Sequence, residues 1–190
     1  MSELSALILA GGLSSRMGKD KALSLWQGIP LLQQVCTVAA NCCPTIYVIT
    51  PWPDRYKTLV SNVCWIHEDQ PGQGPLVALT QGLMHIPTDW VLLLACDLPC
   101  LQATVLQQWA MQLATLPAET LAFAPYHHDR WEPLCAFYRR RAQLSLQAFV
   151  QQGGRSFQRW LAQNPVQSIP VEAEMAAMLR NCNTPADLAE

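Results

Sequence analysis

The segment Leu7-Ile-Leu-Ala-Gly-Gly-Leu-Ser-Ser-Arg-Met-Gly-Lys-Asp-Lys21 turns from an apolar run into a charged loop. Leu4 to Ala10 is nearly continuous in apolar residues, which is typical of a strand covered on both faces in a mostly parallel sheet. Gly11 and Gly12 end this strand, and because they lack Cβ atoms a ligand can approach their N–H groups closely. The loop adds donors and charge at Ser14, Ser15, Arg16, Lys19 and Lys21. These features predict a phosphate-binding loop.

Two widespread phosphate motifs are absent from this loop. Gly12 and Gly18 enclose one residue too many for Gly-x-x-x-x-Gly-Lys-Ser/Thr, and Asp20 stands where that motif has a magnesium-binding hydroxyl. The pattern Gly-x-Gly-x-x-Gly is absent as well. The simpler alternative is a glycine turn with ordinary surface charges, since such turns are common after strands.

The composition predicts one globular domain spanning residues 1–190. The chain is 51% hydrophobic and 14% charged, with a formal net charge of -2. A chain of this length can bury a core of its own, and this composition does not favour disorder. The few basic residues form no long basic face, so we expect no nucleic-acid partner. No signal peptide or membrane-spanning apolar run is evident, so we expect a cytoplasmic protein without a membrane partner.

The eight cysteines contain no closely spaced Cys-x-x-Cys pair, and several lie within apolar runs. We expect free thiols in a reducing compartment. A zinc site could be drawn from Cys96, Cys100, His127 and His128, but their spacing does not favour it.

Strand and helix patterns alternate along the chain and predict an α/β fold. It would have three α/β/α layers and a mostly parallel central sheet, as in Rossmann-like proteins. The predicted strands after the first are Ile46–Thr50, Val63–His67, Trp90–Cys96, Leu121–Ala124, Pro133–Tyr138 (which could pair antiparallel with a neighbour) and Val166–Val171. The predicted helices are Leu31–Asn41, one capped by Asp54, Leu76–Met84, Gln102–Thr115, Arg139–Gln152 and Ser156–Gln163.

Asp97 follows the most apolar predicted strand, Trp90–Cys96. A carboxylate at that strand end lies at the edge where open α/β sheets bind ligands, and the glycine loop belongs to the same edge. A helix-capping role after Pro99 is the alternative. Together the loop and the aspartate predict metal-assisted transfer at phosphorus. Lys21 and Arg16 would neutralise a triphosphate and Asp97 would hold Mg²⁺.

The run Leu9-Ala-Gly-Gly-Leu-Ser-Ser-Arg-Met-Gly-Lys-Asp-Lys21 resembles the signature of the molybdenum cofactor guanylyltransferase family, nucleotidyltransferases of glycosyltransferase-A-like fold. Further similarities lie at Glu68-Asp69, Gly74-Pro75-Leu76, Ala95-Cys-Asp97-Leu-Pro99, Glu132-Pro-Leu134 to Tyr138-Arg139, Gly154-Arg155 and Asn181-Cys-Asn183-Thr-Pro-Ala-Asp-Leu188. The resemblance implies transfer of GMP from GTP to the terminal phosphate of molybdopterin, with release of pyrophosphate.

The resemblance also assigns roles by position. The implied nucleotide contacts are Leu9, Ala10 and Gly11, with Gly12 in the loop, Lys21 at the phosphates and Asp69 at the guanine nucleotide. Asp97 would bind magnesium, and Asn181 and Asn183 would return the chain to the metal site. The segment Trp131–Arg139 with Arg155 is the candidate for binding the pterin, since an aromatic ring and arginines suit a flat heterocycle carrying phosphate.

Two positions depart from the family pattern and bear on base choice. Thr50 stands where relatives often place a nucleotide-contacting Asn, and Ala78 stands where Gly usually follows Gly-Pro-Leu-Ala. Thr50 can still offer a hydroxyl to the nucleotide. We expect GTP to be preferred over CTP, because the missing Cβ at Gly11 leaves room for a purine beside the strand end.

The sequence leaves two other functions open. The chain could be a cytidylyl- or sugar-phosphate nucleotidyltransferase that shares the glycine loop. It could also be a non-catalytic relative that binds nucleotide or cofactor and hands it to an apo-enzyme, in transient contact with cofactor-accepting enzymes. The presence of both Lys21 and Asp97 argues against the non-catalytic alternative.

Overall fold

The computed structural model describes residues 4–11, 20–182 and 187 of the chain. The strands of this part are β1 (Leu4–Leu9), β2 (Leu25–Trp26), β3 (Ile29–Pro30), β4 (Thr45–Thr50), β5 (Cys64–His67), β6 (Trp90–Ala95), β7 (Ala122–His127), β8 (Arg130–Trp131), β9 (Cys135–Arg139) and β10 (Val166–Pro170). The helices are α1 (Leu31–Ala40), α2 (Pro53–Tyr56), α3 (Pro75–His85), α4 (Ala103–Gln112), α5 (Ala142–Gln151), α6 (Phe157–Ala162) and α7 (Ala173–Met178). Short 3₁₀ turns lie at Lys21–Leu23 and Leu113–Thr115.

The central sheet is mixed, with a parallel half that contains the first strand. Within the described residues its order is β10-β7-β9-β6-β1-β4-β5, and β8 pairs with β7. β1 lies between β4 and β6 and is parallel to both, and β5 continues the parallel half beyond β4. β9 runs antiparallel to β6 and β7. The predicted α/β fold with a mostly parallel sheet between helices is confirmed, as is the antiparallel strand after Pro133.

Hydrophobic cores on both faces of the sheet explain the apolar run of β1. Ala6 and Ile8 belong to the core on one face, whereas Leu7 belongs to the core on the other. Successive side chains of a strand point to opposite faces, so both sets must be apolar when helices cover both faces. β6 follows the same rule, because all six of its residues are buried.

Helix α3 begins where the Gly-Pro-Leu sequence predicts it. Gly74 precedes the helix with φ +94°, a conformation that favours glycine, and Pro75 is the first helical residue. Further along the helix, a Cβ on Gly82 would overlap Leu7 Cδ2 of β1. The small residue therefore lets α3 pack closely on the first strand.

Several predicted boundaries differ from the structure. Asp54 does not cap α2, because Pro53 already occupies its first position. Arg139 ends β9, and the following helix begins at Ala142. Helix α7 has no counterpart in the predictions. Among the described residues, no helix combines the length and apolar character needed to cross a membrane.

Candidate functional site

Lys21 and Asp97 form an ion pair at the carboxyl ends of β1 and β6. The Lys21 Nζ donates to Asp97 Oδ2 at 2.5 Å, and the two side chains are only 17% and 14% exposed. The strand ends themselves are joined, because the Cys96 N–H donates to the Leu9 carbonyl at 3.2 Å. The structure therefore brings the end of the glycine loop to the strand-end aspartate, as the sequence predicts.

The second oxygen of Asp97 suits a metal ion. Asp97 Oδ1 is buried and has no hydrogen-bond partner in the described part of the chain. An unpaired buried oxygen is unfavourable, and a carboxylate oxygen is a preferred ligand of Mg²⁺. The described residues contain no group of three or more His, Cys, Asp or Glu placed to hold a metal. A magnesium ion here would take its other ligands from phosphates and water, as Mg²⁺ commonly does.

Asp97 does not act as a helix cap. Helix α4 begins at Ala103, and Gln102 precedes it without a side-chain capping bond. The main chain of Asp97 instead anchors the C-terminal part of the protein, because the Cys182 N–H donates to its carbonyl at 3.0 Å. This bond places Asn181, the residue before Cys182, near the Asp97 segment.

Asp20 anchors the residue next to Lys21. The Tyr56 hydroxyl donates to Asp20 Oδ2 at 2.6 Å, and the Ala22 N–H donates to Asp20 Oδ1 at 3.1 Å. Arg55 Nη1 lies 3.6 Å from the same Oδ2. Burial and the Asp20 carboxylate raise the pKa of Tyr56, so its hydroxyl keeps the proton that it donates. The sequence does not predict this contact, and its one signal there is the Asp within Gly18-Lys-Asp-Lys21.

The space beside Gly11 is filled by a carboxylate. A Cβ on Gly11 would overlap Glu68 Oε2 and would lie 3.2 Å from Pro51 Cδ. Glu68 is 5% exposed, and this burial raises the pKa of its carboxyl group. The expectation that the missing Cβ leaves an open space for a purine is therefore corrected, because the Glu68 side chain occupies that space.

Thr50 anchors backbone. Its side chain is fully buried, its hydroxyl donates to the Ala10 carbonyl at 2.9 Å, and it accepts from the Trp52 N–H at 3.2 Å. The single proton of this hydroxyl is therefore already used in a bond to the main chain. The Thr50 hydroxyl thus joins the ends of β1 and β4, and its predicted nucleotide contact stays a prediction.

The other predicted contact residues lie at the same edge of the sheet or outside the described residues. Leu9 ends β1, and the Ala10 N–H donates to the Ile49 carbonyl at 3.0 Å. Asp69 follows β5 with its side chain 70% exposed, and its N–H donates to Gln81 Oε1 at 3.0 Å. Gly12, Arg16 and Asn183 lie outside the described residues. Nucleotide binding by these residues stays a prediction.

A pocket of about 240 Å³ lies near the Asp97 segment, and its lining includes Leu98 but not Asp97 itself. Leu98, the residue after Asp97, lines it together with Asn181, Trp131 and Glu132. Gln158 fixes the main chain of Trp131, because its side chain accepts from the Trp131 N–H at 3.0 Å and donates to the Trp131 carbonyl at 2.8 Å. The pocket therefore has an ordered aromatic wall.

The structure places the two ends of the predicted pterin-binding segment, Trp131 and Arg139, far apart. Trp131 lines the pocket, but Arg139 lies at the opposite end of the sheet, bound to Asp89 and stacked over the Trp90 ring at 4.4 Å. The reason is the antiparallel direction of β9, which carries Arg139 away from the ligand edge. Arg155 donates to the Val150 and Gly154 carbonyls at 3.0 and 2.8 Å. Neither arginine belongs to the pocket lining.

Comparison with protein families agrees with this site geometry. Residues 6–167 match the family described as "MobA-like NTP transferase domain". The chain belongs to this family. The match covers the glycine-loop strand, Asp97 and most of the pocket lining, so the family assignment includes the elements that build the site.

Individual relatives of this MobA-like chain are similar over nearly their whole length. A "Probable molybdenum cofactor guanylyltransferase" of Trichormus variabilis is 52% identical over 189 residues, covering 100% of this chain and 90% of the relative. A protein of the same name from Synechococcus elongatus is 46% identical, with 96% and 94% covered. The crystal structure of molybdopterin-guanine dinucleotide biosynthesis protein A from Archaeoglobus fulgidus superposes with a TM-score of 0.80 at 25% identity, covering 97% and 95%.

Proposed function

We propose that this chain transfers GMP from GTP to the terminal phosphate of molybdopterin, releasing pyrophosphate and forming the guanine dinucleotide cofactor. The names of the relatives at 52% and 46% identity support the substrates. The observation that carries the chemistry is the Lys21–Asp97 pair, in which Asp97 Oδ1 has no hydrogen-bond partner among the described residues. It joins a phosphate-binding cation to a metal-binding oxygen at the ligand edge of the sheet.

Lys21 binds the triphosphate in this proposal. Asp20 is held by Tyr56 and by the Ala22 N–H, so the backbone that presents Lys21 is fixed before the nucleotide arrives. A cation in a fixed place stabilises charge that develops on the leaving pyrophosphate without reorganisation. Arg16 would add a second cation from the glycine loop.

Asp97 would hold Mg²⁺ through Oδ1, and the ion would neutralise phosphate oxygens in the transition state. The Asp97 side chain is oriented by Lys21, and its main chain is fixed by the Cys182 N–H. The residues at this position thus fit the ion, and Asn181 is the neighbouring polar group that would complete its surroundings.

The acceptor phosphate needs no protein nucleophile. It is already ionised near neutral pH, so one of its oxygens can attack the α-phosphorus of GTP directly. The new P–O bond forms as the bond from the α-phosphorus to the bridging oxygen breaks, and that electron pair leaves with pyrophosphate. Leu9, Ala10 and Gly11 at the strand end and Asp69 after β5 are the proposed contacts to the guanosine part.

We also propose that residues 1–190 form one domain and that the reaction takes place in the cytoplasm. All eight cysteines, each of which lies in the described part of the chain, are free thiols. Free thiols are typical of proteins kept in a reducing compartment.

The test is pyrophosphate release from Mg²⁺, GTP and molybdopterin. We expect release only when all three are present, and we expect Asp97→Asn to lower turnover by about a hundredfold or more while GTP affinity changes less. Asp54→Asn is the matched control, because this carboxylate is 89% exposed and paired only at the surface with Lys57. Folded protein that binds GTP without releasing pyrophosphate would favour the non-catalytic alternative.

A further inference from the structure

We propose that the pocket beside Asp97 binds the pterin ring of the acceptor and that Glu132 selects this ring by accepting hydrogen bonds from its 2-amino group and the adjacent ring N–H. This inference rests on the proposed function and deepens it, because it names the residue that distinguishes a pterin from other flat heterocycles.

The location of the pocket suits the acceptor. Leu98 continues the chain directly from Asp97, and Asn181 precedes the residue whose N–H binds the Asp97 carbonyl. The pocket therefore adjoins the Asp97 segment on two sides. An acceptor whose ring lies in the pocket would have its phosphate end close to the proposed metal ligand.

Glu132 brings an unused carboxylate into the pocket lining. Its main chain is fixed, because its N–H donates to the Pro125 carbonyl at 2.9 Å and its own carbonyl accepts from the Cys135 N–H at 3.4 Å. Its carboxylate makes no hydrogen bond or ion pair with any described residue. Burial raises the pKa of this carboxyl group, and the nearby His127 and Arg130 side chains act in the opposite direction.

A half-buried carboxylate without donors is suited to a ligand that presents two donors side by side. The 2-amino-4-oxopyrimidine part of a pterin has such an edge, with an amino group next to a ring N–H. The two oxygens of one carboxylate can accept from both. Trp131 adds an aromatic face for the ring, and its position is set by Gln158 and by the Tyr126 ring, whose centroid is 4.7 Å away.

The experiment compares two soluble probes that differ at this edge. Wild-type protein is titrated with 6-hydroxymethylpterin and with 6-hydroxymethyllumazine, in which an oxygen replaces the 2-amino group. We expect the pterin to bind at least about tenfold more tightly, because a site built for an N–H donor rejects an analogue that lacks it. Glu132→Gln should weaken pterin binding at least about tenfold, change lumazine binding by less than about threefold, and leave GTP affinity within about threefold of wild type.

Glu119→Gln is the matched control, since Glu119 is exposed and lies outside the pocket lining. Trp131→Ala should weaken the binding of the pterin and of the lumazine by similar factors. The proposal is overturned if wild-type protein shows no saturable pterin binding, if it does not discriminate between the probes, or if Glu132→Gln binds the pterin as wild type does. Pyrophosphate release from GTP and molybdopterin is measured on the same proteins. If release continues while the pterin-binding results contradict the role of Glu132, guanylyl transfer stands and the pterin binds elsewhere.

Discussion

Asp97 uses its two carboxylate oxygens differently. Oδ2 accepts from Lys21, whereas Oδ1 is buried and meets no donor among the described residues. Leaving a buried acceptor unpaired costs about 1–3 kcal/mol, and more when the group is charged. Within the described residues, this oxygen therefore has no donor at the place where the proposed reaction needs a cation. A buried polar group without a partner calls for an explanation, and a bound ion is one of the usual ones.

Gly11 and Glu68 should be energetically coupled. We expect Gly11→Ala to destabilise the fold by about 1–3 kcal/mol, the usual range for overpacking, because the added methyl overlaps Glu68 Oε2. In a Glu68→Ala background, Gly11→Ala should lower the free energy of unfolding by clearly less, because the overlapping Glu68 Oε2 atom is absent. Urea unfolding of the four proteins of this cycle gives the coupling free energy. Equal costs in both backgrounds would show that Glu68 does not fill the space beside Gly11.

The role of a single residue was predictable from the sequence where its residue type and position allow only one plausible role. Lys21 and Asp97 were predicted to meet because a cation after a glycine loop and a carboxylate after a buried strand belong to the same edge. Glu68 and Thr50 could not be assigned in this way. A buried hydroxyl or carboxylate can bind a ligand or the backbone equally well, and only the distances to Ala10 and Gly11 decide between these uses.

At the scale of elements, one hydroxyl joins the ends of β1 and β4. We expect Thr50→Val to destabilise the fold by about 1–3 kcal/mol, because the Ala10 carbonyl and the Trp52 N–H lose their partner while the side-chain shape is kept. The preference for GTP over CTP should not change, since the proton of this hydroxyl is already used in the bond to the Ala10 carbonyl. Urea unfolding and competition between the two nucleotides measure the two effects.

Thr37→Val is the control for this substitution. Thr37 is exposed on α1, and its hydroxyl donates only to the Gln33 carbonyl one turn earlier. Thr37→Val should therefore change the free energy of unfolding by no more than about 0.5 kcal/mol. A large loss of GTP preference in Thr50→Val, without a loss of stability, would restore the direct nucleotide contact that the sequence suggested.

The long strands and helices were predictable because apolar residues recur in them at regular spacing, whereas the short elements show no such pattern. β6 and α3 were placed within one residue or so of their observed bounds. A two-residue strand such as β8 is too short to show an alternating apolar pattern. Its pairing with β7 depends on a tight turn at His128 and Asp129, both of which have positive φ. The direction of β9 decided the position of Arg139, and a periodic pattern alone does not give a strand's direction.

At the scale of the whole molecule, the parallel half of the sheet gathers the proposed site at one edge. β1, β4, β5 and β6 all end there, which brings Gly11, Asp69 and Asp97 to the same side of the protein. β9 closes that edge next to the pocket, because its first residue pairs with Leu94 near the end of β6. The fold class and the ligand edge followed from the sequence. The pocket did not, because four separated parts of the chain line it: Leu98, residues 130–135, Gln158, and Leu179 with Asn181.

The distribution of the thiols across the molecule predicts their reactivity. Burial raises the pKa of Cys36 and Cys43 to about 12, whereas Cys64 and Cys100 are exposed. The thiolate is the reactive form, so at pH 8 a raised pKa leaves very little of it at the buried positions. We expect iodoacetamide to modify Cys64 and Cys100 of the native protein first, and the buried thiols only after unfolding. Peptide mass spectrometry over time measures the order, and early modification of Cys36 would contradict the described core.

Competition between nucleotides for one acceptor tests the account most directly. Equal concentrations of GTP and CTP are offered with Mg²⁺ and molybdopterin in one tube, and the dinucleotide products are identified by mass. We predict guanine dinucleotide in at least about tenfold excess, since misfit of one ring in a formed pocket commonly costs more than about 1 kcal/mol. A mostly cytosine product would contradict guanylyl transfer.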